Sequence, residues 1–169
     1  IEVQIMLIVE GMDGVGKTTL VDYFVLNGMK KHHFDYDVNN MDLITKYMQI
    51  LKEDTSHLVL DRSFISEMVY GPVLRGKSKI DLEEYKKLLI AYRQSNTSII
   101  YLTASKDDLL LRRASDISDY NTIMQYYNSL NEQYNSIMQY SEDYIDVYHY
   151  NTSLENELQI QEKVKRLIR

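Results

Sequence analysis

The segment at residues 11–18, GMDGVGKT, constrains this chain more than any other part of its sequence. It fits the pattern G-x-x-x-x-G-K-[ST], in which glycines let the backbone curl so that successive N–H groups point at one phosphate. Lys17 would bring a positive charge to the β- and γ-phosphates of a nucleotide, and the Thr18 hydroxyl is placed to bind magnesium. A tight turn that binds nothing is the alternative. The residues predicted to bind the phosphates of ATP are Gly11, Asp13, Gly14, Val15, Gly16, Lys17, Thr18 and Thr19.

Strand and helix patterns alternate around this loop. Residues 5–9 form a continuously apolar run that predicts a buried strand before the loop, and a helix is predicted over 17–29. Further strands are predicted at residues 34–37, 57–60, 98–102 and 144–148. Parallel strands joined by helices are covered on both faces. The alternation therefore predicts an α/β protein with the P-loop NTPase fold, a three-layer α/β/α arrangement around a central parallel sheet of five strands.

Apolar residues at helical spacing predict the remaining helices. The patterns are Met41-Ile44-Met48-Leu51, residues 82–92, residues 106–113, the stripe Tyr120-Ile123-Tyr127-Leu130-Tyr134-Ile137, and Leu154-Leu158-Val164-Leu167. We interpret the tyrosine-rich stripe as core packing, with a base-stacking platform and the face of a homodimer as alternatives. The pair His32-His33 has no carboxylate or histidine at ligand spacing beside it, so we predict a loop there and not a metal site.

Composition and charge narrow the classes of function. A chain of 169 residues without internal repeats predicts a single domain, 1–169. No apolar run approaches the roughly 18 to 20 residues of a membrane span, and the absence of cysteine is typical of a reducing cytoplasm. The net charge of −6 argues against binding a nucleic-acid polymer. Small anionic nucleotides remain compatible with it, because a few arginines can gather at one site.

The sequence HLVLDRS at residues 57–63 predicts a strand that delivers Asp61 and Arg62 at its carboxyl end. Ligands of open parallel sheets bind at that edge. Asp61 is a candidate for the coordination shell of Mg²⁺, and Arg62 is a candidate for binding a second phosphate through two hydrogen bonds. A surface ion pair, or a helix N-cap by Asp61, is the alternative.

Two segments together resemble the thymidylate kinase family of nucleoside monophosphate kinases. Residues 11–19 match its G-x-D-G-x-G-K-T-T loop, and residues 61–70 match its D-R-x-x-x-S-x-x-A-Y pattern, with valine in place of the alanine. The resemblance implies an enzyme that transfers a phosphoryl group from ATP to a deoxynucleotide. It also implies substrate contacts: Asp13 near the sugar hydroxyl and the acceptor phosphate, Arg62 on that phosphate, and Glu67 and Tyr70 near the base.

The chain departs from the family pattern at three further places. The family's R-E-P-G segment is absent, and residues 34–37 stand there instead. Gly71 replaces a common glutamine, and Glu67 stands where the family often has asparagine or a small residue. The base that is accepted is therefore left open.

Arginines elsewhere in the chain complete the predicted site. Arg112 and Arg113 precede a joint between two helical patterns, which predicts a short lid at about 112–120 that closes over the γ-phosphate. Arg75 is a further candidate ligand of the acceptor phosphate. Solvated helix-end or loop cations are the alternatives for all three.

These residues favour a deoxynucleoside monophosphate kinase. Lys17, Arg62 and Arg112 or Arg113 would act with Mg²⁺ on ATP and a dNMP. A deoxynucleoside kinase is the nearest alternative, and its 5′-hydroxyl acceptor calls for a carboxylate base, for which Asp35 and Asp37 are candidates. A GTP-binding switch is a third hypothesis, suggested by residues 105–108, but no D-x-x-G follows the strand at 57–60.

Overall fold

A central parallel sheet organises the computed structural model, which describes residues 5–33 and 42–168. Its strands lie in the order β2-β3-β1-β4-β5, and every neighbouring pair is parallel. Helices cover both faces, so the predicted three-layer α/β/α fold is confirmed. The strands are β1 (Met6–Glu10), β2 (Lys30–His33), β3 (Leu58–Asp61), β4 (Thr97–Thr103) and β5 (Asp146–Asn151).

Seven α-helices connect and cover these strands in the described part of the chain. They are α1 (Lys17–Leu26), α2 (Leu43–Ile50), α3 (Phe64–Tyr70), α4 (Leu82–Gln94), α5 (Lys106–Arg112), α6 (Ile117–Ser141) and α7 (Glu157–Val164). A π-helical turn, Gly71–Arg75, follows α3, and a 3₁₀ turn, Lys165–Ile168, follows α7. Among the described residues, no helix combines the length and the apolar character that crossing a membrane requires.

The core is built on the central strands, where residues 6–9 of β1 are completely buried. On one side of the sheet, an aromatic cluster ties α3 to α2 and α4. The Phe64 ring lies 5.3 Å from Tyr47, 5.6 Å from Tyr85 and 5.0 Å from Tyr92, measured between ring centroids. Such tilted and edge-on contacts add to the apolar burial of each ring. They hold the start of α3 rigidly beside the end of β3.

The second strand differs from the sequence-based expectation. The predicted strand at 34–37 lies outside the described residues, and β2 runs from Lys30 to His33 instead. The prediction of a loop at His32-His33 was therefore wrong. Because β2 pairs only with β3 within the described sheet and is mostly exposed, it has no apolar pattern that would reveal it from the sequence.

Two helical faces also differ from the predicted ones. In α2 the buried residues are Tyr47 and Ile50, whereas Met48 is exposed. At the end of the chain Ile160 and Val164 face the core. Leu154 and Leu158, which the spacing places on the apolar stripe, are 81% and 75% exposed, because the helix begins only at Glu157 and turns another face inward.

The first helix ends at Leu26 and not at residue 29, and Gly28 adopts a positive φ just beyond it.

The stripe on α6 packs inward. Ile123, Leu130, Tyr134 and Ile137 are buried, and the remaining two members are half-buried. The interpretation as core packing agrees with this placement.

Candidate active site

The phosphate loop joins β1 to α1 as expected. Gly11 and Gly16 have φ values of +151° and +104°, which residues other than glycine rarely adopt. A Cβ atom on Gly11 would lie only 2.4 Å from the carbonyl oxygen of Leu102 in β4. The loop is therefore a tight structure seated against the sheet, and its shape depends on these glycines.

Lys17 lies inside this loop. Its side chain is buried, and its Nζ donates hydrogen bonds to the carbonyl oxygens of Gly11 at 2.7 Å and Met12 at 2.8 Å. Burial lowers the pKa of Lys17 to about 7, and Arg62 acts in the same direction. The ammonium group is therefore held by neutral carbonyls in a place where an anionic phosphate would favour its charged form.

A cavity of about 640 Å³ opens over the loop at the carboxyl edge of the sheet. Its lining includes the loop from Asp13 to Thr19 and the side chains of Asp61 and Arg62. Arg112 and Arg113 line it as well. The structure thus brings these predicted residues together around one space, as expected for ligands at the end of a parallel sheet.

A further part of the cavity was not predicted. It is lined by residues of the loop after β5 and of α7, among them Thr152, Asn156 and Ile160. Sequence reasoning had assigned only core packing to this region. A polar loop after a buried strand, followed by the Asn156 N-cap, was the available signal.

Asp13 and Arg62 form an ion pair across the mouth of the loop, with 2.5 Å between Oδ1 and Nη2. Burial alone would raise the pKa of the Asp13 carboxyl, but the positive charges of Arg62 and Lys17 outweigh it and keep that pKa below its ordinary value. The Arg62 guanidinium also lies over the Tyr70 ring, 5.3 Å from its centroid. Its backbone has a φ of +68°, a strained value typical of functional positions.

Glu10 is the important residue that sequence reasoning missed. It ends β1 directly before the loop, and its carboxylate is completely buried. Glu10 accepts hydrogen bonds from the backbone N–H of Ser63 at 2.8 Å, the hydroxyls of Ser63 and Ser66, and the Tyr134 hydroxyl at 3.0 Å. A charged residue ending an apolar strand was the only signal in the sequence. Its carboxylate connects the phosphate loop to the start of α3 and to α6.

The two arginines of the predicted lid have different partners. Arg112 donates to the Gly14 carbonyl at 3.1 Å and to the hydroxyl and carbonyl oxygens of Thr152. It therefore bridges the phosphate loop and the loop after β5. Arg113 pairs with Asp119 at the start of α6, and its aliphatic part covers Gly14, where a Cβ atom would meet Arg113 Cγ at 2.8 Å.

Three predicted substrate contacts lie away from the lining of this cavity. Glu67 is buried and pairs with Arg75, while Tyr70 lies under Arg62. Burial raises the pKa of Tyr70 to about 12, so its phenol stays neutral. The two candidate bases at positions 35 and 37 lie outside the described residues.

Oxygen ligands for a divalent cation are present on the cavity wall. Thr18 and Asp61 both line it, and Asp61 also lies 3.5 Å from His33 Nδ1. The described residues contain no cluster of three or more side chains able to hold a metal alone. This fits Mg²⁺, which is usually held by one or two protein oxygens together with substrate phosphates and water.

Comparisons with known proteins give no match to a family profile or to a curated protein. Solved structures do match. The YorR protein of Bacillus subtilis, solved with phosphorylated GDP, has a TM-score of 0.80 at 17% identity, covering 96% of this chain and 95% of YorR. Thymidylate kinase from Candida albicans has a TM-score of 0.64 at 17% identity, with coverages of 99% and 91%. Deoxyadenosine kinase from M. mycoides with bound dCTP has a TM-score of 0.60 at 17% identity, with coverages of 96% and 97%.

The chain has the fold of the P-loop kinases. This confirms the resemblance to nucleotide kinases at the level of fold. The P-loop kinase fold is shared by an enzyme that is named for a nucleotide and one that is named for a nucleoside. The fold therefore leaves the acceptor open, and the side chains of the site determine it.

Proposed function

We propose that this chain is a nucleotide kinase that transfers the γ-phosphoryl group of ATP to a deoxynucleoside monophosphate. The observation that carries the proposal is the convergence of Lys17, Arg62 and Arg113 on one cavity above a glycine-rich loop. An acceptor phosphate brings a charge of about −1.5 to −2 toward the triphosphate. Positive groups that offset this repulsion are what such a transfer needs most.

In the proposed reaction, an oxygen of the acceptor phosphate bonds to the γ-phosphorus of ATP. The bond from that phosphorus to the bridging oxygen breaks, which yields ADP and a dNDP. The loop N–H groups and Lys17 hold the triphosphate, Arg62 holds the acceptor phosphate, and Arg113 or Arg112 offsets charge on the moving group. Positioning and electrostatics supply the catalysis. Mg²⁺, held by Thr18 and Asp61, would neutralise part of the phosphate charge.

The carboxylates at the phosphate loop already have partners, which favours a phosphate group over a 5′-hydroxyl as the acceptor. A hydroxyl acceptor needs a carboxylate that is available to take its proton. Glu10 is buried and accepts hydrogen bonds from Ser63, Ser66 and Tyr134. Two carboxylates beside the phosphate loop line the described cavity: Asp13 is paired with Arg62, and Asp61 lies near His33.

The part of the cavity beside the loop after β5 and α7 is our candidate for the base of ATP. It is bordered by Ile160, which offers an apolar surface, and by the polar groups of Thr152 and Asn156. Arg112 already ties this part of the cavity to the phosphate loop. In the proposed complex, a nucleotide whose phosphates are held at Lys17 would place its base against these residues.

A single assay separates the candidate functions. The protein is incubated with MgATP or MgGTP and, separately, with each of four dNMPs and four deoxynucleosides, and the released nucleoside diphosphate is measured. GTP and dGMP belong in the panel because YorR was solved with a phosphorylated GDP. We expect turnover with at least one dNMP. Turnover with deoxynucleosides alone, abolished by replacing Asp35 and Asp37, would instead establish a nucleoside kinase.

A further inference from the structure

The pair formed by Glu67 and Arg75 is the second ion pair on the acceptor side. Glu67 lies within α3, and its side chain is 1% exposed. One carboxylate oxygen accepts hydrogen bonds from Arg75 Nη2 and, at 2.8 Å, from the backbone N–H of Lys79. A carboxylate buried this deeply is stable only with such partners. Its position leaves Glu67 no exposed surface with which to contact a base.

The backbone around this pair is shaped to bring Arg75 back to Glu67. The π-helical turn Gly71–Arg75 ends at Gly76, which has a φ of +79°. Turns of this kind are frequent at functional sites. Gly71 itself has an ordinary φ of −56°, so it is not required for its conformational freedom. A Cβ atom there would lie 2.9 Å from the Glu67 oxygen and 3.0 Å from Arg75 Nη2. Gly71 therefore leaves the space that the pair occupies.

This geometry explains two departures from the thymidylate kinase pattern as one feature. Glu67 and Gly71 replace residues that the pattern has at these positions. The Glu67 carboxylate and the Arg75 guanidinium occupy space into which a side chain at residue 71 would project, and the carbonyl oxygen of Lys77 borders the same space at 2.9 Å. The two changes are thus coupled in space.

Arg62 and Arg75 approach adjacent residues at the end of α3. The Arg62 guanidinium lies over the Tyr70 ring, and a Cβ atom on the next residue, Gly71, would lie 3.0 Å from Arg75 Nη2. The two guanidinium groups therefore lie beside the C-terminal end of α3, at Tyr70 and Gly71. The side chain of Arg75 is 41% exposed, so part of its guanidinium faces solvent while Nη2 is held by Glu67. Guanidinium groups fixed in this way bind phosphates with little loss of side-chain entropy.

We propose that Glu67 is a positioning residue that fixes Arg75 for binding the phosphate of the acceptor, and that it does not recognise the base. This rests on the proposed function, because it requires an acceptor that carries a phosphate. Arg62 and Arg75 then form a binding site for that phosphate. Their carboxylate partners, Asp13 and Glu67, keep the two guanidinium groups ordered before the acceptor binds.

The kinetic test compares Glu67→Gln with wild type on the best dNMP. We expect the KM for the dNMP to rise about tenfold, since a charge-assisted contact to Arg75 is weakened. The KM for ATP and the order of preference among the four dNMPs should stay unchanged. Glu83→Gln, an exposed substitution in the first turn of α4, is the matched control. A changed base preference, or an unchanged KM for the dNMP, would overturn the proposal.

Arg75 variants complete the test. Arg75→Ala should raise the KM for the dNMP more than Glu67→Gln does, and the double variant should be no worse than Arg75→Ala alone, because both remove one contact. Arg75→Lys, which keeps the charge but not the planar fork, should lie between wild type and Arg75→Ala. Additive losses in the double variant would show that Glu67 acts on something other than Arg75. If Glu67→Gln fails to fold, an unchanged KM in Arg75→Ala still overturns the proposal.

A measurement on the ligand-free protein separates this proposal from the proposed function. In nitrogen-15 NMR spectra, a guanidinium held by a carboxylate shows separate Nη signals because its rotation is slow. We expect such signals for Arg75, assigned by their loss in Arg75→Lys, and their collapse in Glu67→Gln. Separate signals that collapse in Glu67→Gln, without turnover of any dNMP, would refute the proposed function and the acceptor role of Arg75, and would show only that Glu67 holds the Arg75 side chain. Turnover of dNMPs with signals that are unchanged in Glu67→Gln would refute the positioning role alone.

Discussion

The phosphate loop and the proposed acceptor side of this molecule present positive charge by different means. The loop uses backbone groups and one buried lysine, and its shape is set by glycines between β1 and α1. The acceptor side uses arginines that are each paired with a carboxylate, Arg62 with Asp13 and Arg75 with Glu67. Backbone groups cannot be changed by substitution, whereas side-chain pairs can be exchanged one at a time. We infer that the first region fixes the chemistry and that the second adjusts which acceptor is used.

The largest expected effect comes from the loop lysine. Lys17→Ala should lower turnover by on the order of a hundredfold or more, because it removes a preorganised charge from the site of transfer. Steady-state release of ADP with saturating MgATP and dNMP measures this. Lys52→Ala, at an exposed position, is the control. Near-normal turnover in Lys17→Ala would contradict the assignment of the loop.

The acceptor side should respond to the shape of its cations as well as to their charge. Arg62→Lys keeps the positive charge but loses the planar fork, so we expect kcat/KM for the dNMP to fall about thirtyfold. The affinity for MgATP, measured by calorimetry, should change less than threefold. Arg93→Lys at the exposed end of α4 serves as the comparison. Equal losses for both substrates would remove the distinction between the two regions.

Two glycine substitutions separate the effect of space from the effect of backbone conformation. Gly71→Ala should lower the free energy of unfolding by about 2 kcal/mol and also weaken acceptor binding, because its methyl group would meet the Lys77 carbonyl oxygen and the Glu67–Arg75 pair. Gly28→Ala should cost about 1 kcal/mol through its φ of +97°, without an effect on activity, since its surroundings are open. Urea unfolding and KM values for the dNMP measure both effects. Full acceptor affinity in Gly71→Ala would argue against the coupling of Gly71 to the pair.

Among the substitutions at the two regions, the smallest expected effect concerns the link between them. Tyr134→Phe removes a hydrogen bond to the buried Glu10 carboxylate and should lower the free energy of unfolding by about 1.5 kcal/mol. Turnover should fall only a few-fold, since Ser63 and Ser66 still hold Glu10. Tyr120→Phe on the same helix is the control for urea unfolding. Equal stability of the two variants would show that the Tyr134 bond contributes little.

The loop could be predicted from the sequence because its chemistry is local. The glycines, Lys17 and Thr18 lie within eight consecutive residues, and their spacing alone defines the backbone they form. The positions of the buried strands along the chain could be predicted for a similar reason, since β1, β3 and β4 each contain an apolar run.

The remaining features depend on contacts that spacing does not reveal. Glu10 becomes important through Ser63 and Tyr134, which are 53 and 124 residues away in the chain. Glu67 meets Arg75 because a π-helical turn follows α3 and brings the two side chains together. The edge strand β2 is polar because solvent and not core covers most of it. In each case, tertiary structure decides the role of a residue that has no distinctive local pattern.

The buried carboxylate of Glu10 also limits how the molecule can move. By holding Ser63, Ser66 and Tyr134 together, it joins the end of β1, the start of α3 and the middle of α6 into one unit. Displacing any of these would strip partners from a charge that water cannot reach. We therefore expect any opening that admits or releases nucleotides to occur at the short joint before α6, at residues 113–116, where the contacts are exchangeable surface pairs.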